Sequence, residues 1–273
     1  MGIVLGIDVG GSTTKIVGIR ENECFGMLQV RAADQITSMY GAIGNLLSKY
    51  GYQPGDVSNI YLTGVGASFV DEQIYGIKTT KVNEFNAIGY GALSLTKLDE
   101  ALVVSMGTGT AFVRASKGDV THLGGSGVGG GTILGLASVM LGKSDVDAIL
   151  ALAGSGSLKN IDLSVRDILN TQVQSLPSDL TAANFGKIKS TASDSDIALG
   201  ILNMVFETVG MLTVFALRND TIGDVILTGT LAKFPQADMV FSSFKKIMGL
   251  NYIIPEDAVF ATALGAALVY IHQ

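Results

Sequence analysis

A short pattern occurs twice in this chain and limits its possible folds more than any other feature. Residues 3–7 form an apolar run that leads into Asp8, the turn glycines Gly10 and Gly11, the hydroxyls of Ser12, Thr13 and Thr14, and then Lys15; a second apolar run, 16–19, follows at once. Further on, the apolar residues 101–104 lead into Ser105-Met106-Gly107-Thr108-Gly109-Thr110 and the pair Phe112-Val113. Each unit reads as a tight β-hairpin closed by a glycine turn. Glycine lets the backbone approach a bound anion closely, and successive N–H groups in such a turn form an anion-binding nest. Asp8 would repel a phosphate, so its place in the nest makes sense with a Mg²⁺ ion between the two. Asp-x-Gly-Gly is also sound turn chemistry without a ligand. The second copy tips the balance towards a duplicated architecture with one phosphate-gripping hairpin in each half.

Bulk properties remove several function classes. The formal net charge is −6 over 273 residues, with no basic run, which argues against nucleic acid, whose binding depends on Lys and Arg neutralising phosphates. Mean hydropathy is high at +0.43, yet no apolar stretch reaches the roughly 18 residues of a membrane helix. Residues 1–3 run straight into the first strand without a basic segment or cleavage site, so a cytoplasmic chain is expected. A single cysteine, Cys24, excludes an intrachain disulfide and a Cys-based metal site, and two histidines, His122 and His272, are too few for zinc catalysis. Only 15% of residues are charged against 48% hydrophobic. That balance suggests burial in an oligomer, although the 35 glycines also dilute charge.

Strands fit at 3–9, 15–20, 23–31, 59–62, 101–104, 119–123 and 225–227. Helices fit at 34–49, 83–95, 132–141, 143–152, 161–169, 197–217 and 261–272, the first with Ile36, Met39, Tyr40, Ile43, Leu46 and Leu47 at helical spacing. The long apolar helix at 197–217 calls for more cover than so lightly charged a chain readily offers. The boundary between halves falls near 96–100, giving an N-terminal lobe of residues 1–97 and a C-terminal lobe of 98–273.

Gly142-Lys143-Ser144 resembles the end of a P-loop, but position 137 is alanine where that motif needs glycine. Gly125-Ser126-Gly127-Val128-Gly129-Gly130 satisfies G-x-G-x-x-G between a strand and a helix, far from the first strand where a dinucleotide fold carries it. A glycine loop feeding a helix N-terminus suits a phosphate or ribose through its free N–H groups and the helix dipole, or serves only close helix–sheet packing. Thr228-Gly229-Thr230 is a third strand-to-glycine turn, and Thr262-Ala263-Leu264-Gly265 opens a small-residue helix.

In this order the pieces resemble, from end to end, the α/β two-lobed actin-like ATPase (ribonuclease H-like) fold shared by sugar kinases, acetate kinase, actin and the heat-shock ATPases. Within it the chain resembles the type II pantothenate kinases. The residues that carry the resemblance are Gly6-Ile7-Asp8 with Lys15, Val82-Asn83-Glu84-Phe85, Met106-Gly107-Thr108-Gly109-Thr110, the glycine loop from Gly124 to Gly135-Leu136, and above all Ser178-Asp179-Leu180-Thr181-Ala182-Ala183-Asn184-Phe185-Gly186 after Ile161-Asp162-Leu163-Ser164-Val165-Arg166-Asp167-Ile168. The last segment carries no evident chemistry and reads as a structural or subunit-contact element.

The resemblance implies an ATP- and Mg²⁺-dependent kinase that phosphorylates pantothenate at the start of coenzyme A synthesis and works as a homodimer. It implies Glu84 as the catalytic base, where position alone favours an acidic residue that merely supports a helix start. Asp8 would hold the metal; Gly10, Gly11, Ser12, Thr13, Thr14 and Lys15 would grip phosphates; Thr108 would touch phosphate or substrate; Gly129, Gly130, Gly131, Thr132, Ile133, Leu134 and Thr230 would border the nucleotide. The chain departs from the family at His122, where an arginine is expected to help hold the substrate, and at Ala111, where a hydroxyl is expected. Imidazole supplies less positive charge than guanidinium and no bidentate fork. Both changes leave room for another hydroxyl acceptor, such as a pantothenate derivative or a sugar. An ATPase switch resembling the activators of acyl-CoA dehydratases shares the opening hairpin, but one cysteine per subunit cannot complete a four-thiolate cluster in a dimer.

Overall fold

The computed structural model describes residues 2–32, 34–70, 73–168 and 180–269. Strands β1 (Ile3–Val9), β2 (Thr13–Arg20) and β3 (Glu23–Arg31) form an antiparallel meander. Helix α1 (Gln35–Lys49) starts at Asp34, whose carboxylate accepts from Thr37 N at 2.7 Å, and buries Met39, Ala42, Ile43, Leu46 and Leu47. The chain then returns parallel to β1 as β4 (Val57–Thr63), followed by β5 (Gln73–Ile74) and β6 (Ile77–Lys81), in the order β3-β2-β1-β4-β6-β5. Helix α2 (Glu84–Thr96) closes this half.

The second half repeats the plan. Strands β7 (Glu100–Met106), β8 (Thr110–Ser116) and β9 (Asp119–Ser126) form another antiparallel meander. After it come α3 (Gly130–Leu141), α4 (Val146–Ala153), β10 (Leu163–Ser164), α5 (Val165–Ile168), β11 (Thr181–Ala183) and α6 (Asp194–Ala216). Strand β12 (Asp224–Thr228) then joins β7 in parallel, and α7 (Pro235–Met248), β13 (Asn251–Ile253) and α8 (Ala261–Leu268) complete the unit. The order β13-β12-β7-β8-β9 matches β6-β4-β1-β2-β3 of the first sheet, which adds β5 at one edge. The register matches too: Asp8 faces Lys15 and Thr63, and Ser105 faces Ala111 and Thr228. In both halves the parallel strand ends in a glycine at positive φ, Gly64 at 89° and Gly229 at 86°. A Cβ there would lie 2.6 Å from the Val9 carbonyl oxygen or 2.4 Å from that of Met106, so only glycine lets these turns close over the hairpins.

Helices α2 and α8 are exchanged between the sheets. α2 follows the first sheet in sequence but packs Ile88, Ala92 and Leu93 on Ala101, Val103, Val113 and Ala115 of the second. α8 follows the second sheet and packs Ala263, Leu264 and Ala267 on Val17 and Ile19 of the first. The two helices cross at small residues. A Cβ on Gly91 would sit 1.8 Å from the Ala261 carbonyl oxygen, and one on Gly265 would sit 1.8 Å from that of Ala87.

Several expectations need correction. The apolar helix α6 is no uncovered surface: Ala198, Ile201, Leu202, Val205, Phe206 and Val209 form the centre of the second core, against β7, β12, α3, α4 and α7. It is the one helix among the described residues long and apolar enough to cross a membrane, and 56% of that stretch is buried within the protein. Residues 161–168 are a short strand and a single helical turn instead of one helix, because Ser164 and Asp167 bond to each other locally. β6 and α7 are additions, discussed below. The Leu180–Gly186 part of the family-like segment is tied to α6: Thr181 Oγ1 and Asn184 Nδ2 donate to the Glu207 carboxylate at 2.7 and 2.8 Å, while Phe185 N and Asn203 Nδ2 donate to Asp162 at 2.8 and 3.0 Å. Burial nevertheless pushes the Asp162 carboxyl above its ordinary range. Ser178 and Asp179, residue 169, and 270–272 of the closing helix, including His272, lie outside the described residues.

Candidate active site

A cleft of about 630 Å³ opens between the two hairpin turns. Turn 10–13 is closed by Gly10 N donating to Thr13 O at 3.0 Å, and turn 107–109 by Gly107 N donating to Gly109 O at 2.9 Å. The tips face each other: a Cβ on Gly11 would lie 3.9 Å from Thr108 Oγ1. Behind the first turn the cross-strand partners Asp8 and Lys15 form an ion pair, Nζ to Oδ2 at 3.3 Å, with both residues under one-tenth exposed. The equivalent pair in the second half, Ser105 and Ala111, is uncharged, so the hairpin charges all belong to one side of the cleft.

Glu84 occupies the first turn of α2. Its position follows from the residues before it: Val82 N donates to Leu62 O at 2.8 Å, Val82 O accepts from Thr63 Oγ1 at 3.0 Å, and Asn83 caps the helix by accepting from Phe85 N and Asn86 N. The side chain opens into the cleft. Loss of surrounding water, reinforced by the Asp8 charge and opposed by Lys15, raises its carboxyl above the usual carboxylate range. The next residue on α2, Phe85, stacks on the His122 imidazole, with ring centroids 3.7 Å apart and planes 9° from parallel.

The cleft brings together Asp8, Gly10, Gly11, Ser12, Thr13, Lys15, Glu84, Thr108, His122, Gly130, Gly131, Ile133, Leu134 and Thr230 from the sequence-derived set. Thr14, Gly129 and Thr132 do not line it. Thr14 is fully buried behind the turn. Gly129 is a packing position, since a Cβ would meet the Thr108 carbonyl oxygen at 2.7 Å. Thr132 closes the glycine loop, its Oγ1 accepting from Gly129 N and donating to Gly127 O. The first N–H groups of α3 are not free, contrary to the expectation for a glycine loop feeding a helix. Gly130 N donates to Gly107 O and Gly131 N to Thr108 O, both at 2.9 Å. The second hairpin turn itself caps the first two positions of α3, so the N–H groups of Gly130 and Gly131 are already bonded within the protein.

Residues the sequence did not single out for the site complete the cleft. Val146, Leu231 and Phe234 add apolar wall, as do Phe85 and Ile88, and Ala111, already noted from the sequence, lines the cleft with them. Val65, 61% exposed, stands at the rim directly after Gly64. The signal that could have found Val65 is the Thr-Gly pair it follows, which repeats at Thr228-Gly229.

No group of three or more His, Cys, Asp or Glu side chains converges among the described residues, so no protein-only metal cage exists there. One buried carboxylate beside a phosphate-sized nest suits Mg²⁺, which keeps several waters and takes one or two carboxylates plus substrate phosphates.

The Fumble family model matches residues 94–245. A type II pantothenate kinase of Bacillus cereus (strain AH820) is 28% identical over 274 residues, covering 97% of this chain and 96% of the relative. The type II pantothenate kinase of Staphylococcus haemolyticus (strain JCSC1435) is 26% identical over 272 residues, covering 96% and 98%. Among solved structures, component A of the Acidaminococcus fermentans (R)-2-hydroxyglutaryl-CoA dehydratase matches with TM-score 0.71 at 18% identity, covering 98% of this chain and 97% of that one. A ROK family glucokinase from Streptomyces griseus, in complex with glucose and AMPPNP, matches with TM-score 0.62 at 13% identity, covering 98% and 99%. At these identities the solved structures establish the actin-like ATPase fold alone.

Proposed function

This chain belongs to the Fumble family, and on that premise we infer that it transfers the γ-phosphoryl group of ATP to the hydroxyl of pantothenate, an early step of coenzyme A synthesis. The observation that carries the reading is Glu84, held on the first turn of α2 in the same cleft as the Asp8–Lys15 pair and both glycine turns. Phosphoryl transfer needs positioning and charge more than covalent chemistry. Glu84 accepts the proton of the attacking hydroxyl, and its raised pKa makes it a stronger base than an ordinary carboxylate. Lys15 and the N–H groups of turn 10–13 hold the phosphates, and Thr108 meets them from the facing turn. Asp8 holds Mg²⁺, which when bound neutralises phosphate charge. The flat glycines Gly130 and Gly131 border the nucleotide, with Ile133, Leu134 and Thr230. Residues 1–97 and 98–273 act as lobes that close to exclude water, since ATP hydrolysis competes. The likeness to a dehydratase component concerns the fold; Cys24 is the only thiol in the chain, too few for a shared cluster.

A coupled ADP-release assay tests the reading. ADP should form only when both Mg²⁺ and an acceptor are present, with pantothenate the best of a panel that includes pantetheine and common sugars. Pantothenate turnover no higher than the ATP-only background would overturn it.

The chain works in the cytoplasm as a homodimer. With most of α6 buried, the support for a dimer rests on large apolar residues left exposed on helices, Val139 at 86% on α3, Phe215 at 60% near the end of α6 and Met239 at 68% on α7. Light scattering at micromolar concentration should give twice the 28.4 kDa of one chain; the mass of one chain would rule the dimer out.

A further inference from the structure

The duplicated plan places one residue type in two settings. Thr63 and Thr228 each end the parallel strand of their half, and each precedes a glycine at positive φ. Thr63 pairs in register with Asp8, and Thr228 with Ser105. Both threonines are buried, and neither lines the cleft. Their hydroxyls differ. Thr63 Oγ1 donates to Val82 O at 3.0 Å, just ahead of Glu84. Thr228 Oγ1 has no hydrogen-bond partner among the described residues, and the corresponding helix, α8, carries no ionisable side chain. A buried hydroxyl without a partner costs stability. The hydroxyl is engaged only in the half whose helix brings a carboxylate to the cleft.

We propose that Thr63 is a positioning residue for phosphoryl transfer: its hydroxyl fixes the entry into α2 and so holds the Glu84 carboxylate in place relative to Asp8. The inference rests on the kinase reading above and deepens it. β4 pairs with β6 as far as Leu62 and Lys81, and Val82 N extends the pairing to Leu62 O at 2.8 Å. The strand then turns away at Gly64, and the Thr63 hydroxyl takes up the Val82 carbonyl. Val82 is thus held at both its N–H and its C=O. Asn83 follows, its side chain bonded to Phe85 N and Asn86 N, so Glu84 enters the helix between two fixed points. The same dipeptide also meets Asp8: a Cβ on Gly64 would lie 2.6 Å from Asp8 Oδ1. Thr63-Gly64 therefore sets the spacing between the carboxylate on the phosphate side and the one on the hydroxyl side. A displacement on the order of 1 Å in such a spacing can cost roughly 10²-fold in rate.

Thr63→Val keeps the shape of the side chain and removes the hydroxyl. Its kcat should fall about tenfold, with the Kd of ATP and the KM of the acceptor within about twofold of wild type. Thr63→Ser keeps the donor and should return kcat to within about threefold of wild type. In a Glu84→Gln background, followed by single turnover, Thr63→Val should cost nothing further, because residues that act as a unit do not add. Thr228→Val makes the same change in the other half; it should leave kcat within about twofold and should not lower Tm, since it removes a hydroxyl without a partner. Circular dichroism at the assay temperature checks that each variant is folded, and Thr63→Ala takes the place of the valine variant if that one is not. Thr63→Val within about twofold of wild-type kcat, a serine variant as slow as the valine one, or an equal loss in the Glu84→Gln background overturns the inference and leaves the kinase reading intact. Turnover of no acceptor by the wild-type protein overturns the kinase reading and the inference with it.

Discussion

Glu84→Gln should bind ATP as the wild-type protein does and lose on the order of 10² to 10⁴ in kcat, the usual cost of removing a general base. The amide keeps the length of the side chain and the start of α2, since the helix is capped by Asn83 and not by Glu84. What it cannot do is accept a proton. The wild-type carboxyl is raised by desolvation and by Asp8, and it works only when ionised. The rate should therefore climb as pH rises through that elevated pKa and level off above it, and the residual rate of the variant should lack this limb. Steady-state kinetics from pH 4.5 to 8, with nucleotide affinity measured separately, decide the matter. A variant within a few-fold of wild type would reduce Glu84 to a favourable charge at a helix N-terminus.

The second large effect is on stability and comes from the helix crossing. Gly265→Ala places a methyl group 1.8 Å from the backbone oxygen of Ala87. No side-chain rotation relieves such a clash; α2 and α8 must separate. Overpacking usually costs about 1–3 kcal/mol, and with a rigid helix backbone as the obstacle the upper end or beyond is expected, roughly 3 kcal/mol or more. For a chain of this length that lowers Tm by about 6–12 °C. Gly44→Ala is the control: this position lies inside α1 with nothing within 4 Å of a Cβ, so alanine should stabilise by about 0.4–1 kcal/mol through the unfolded chain. Thermal unfolding of both variants is the measurement. Gly265→Ala within about 0.5 kcal/mol of wild type would mean that the crossing is looser than described.

The parts of the fold legible in the sequence are those where one residue type does one job. Apolar runs broken by Gly10-Gly11 and by Gly107-Thr108-Gly109 announce hairpins, because such runs bury both faces and such turns need small residues. Met39, Ile43, Leu46 and Leu47 mark the buried face of α1 by spacing alone. β6 carried no such signal: Lys78, Thr79, Thr80 and Lys81 are polar, and the strand is held by its pairing with β4 and β5. α7 was hidden by its many polar residues, although Pro235 at its start and Gly249 at its end are ordinary boundary signals. At the site, the facing hairpin turns and Glu84 were legible from motif order. The capping of α3 by Gly107 and Thr108 carbonyls was not, because a glycine loop before a helix reads the same whether its N–H groups await a ligand or are already bonded. Nor was the Phe85–His122 stack, which joins a helix and a strand far apart in sequence.

The exchange of α2 and α8 also bears on how the protein is made. A chain released from the ribosome up to residue 97 has every strand of the first sheet, yet Val17 and Ile19 face water until residues 263–267 are made. At residue 97 α2 has no sheet beneath it either, because its seat on Ala101, Val103 and Val113 is still unwritten. So the first sheet cannot be covered before the second has been made. The crossing therefore acts as a check on synthesis: a chain that stops before α8 leaves an open apolar sheet face, the kind of surface that chaperones and proteases recognise, and only a chain that reaches residue 267 covers it.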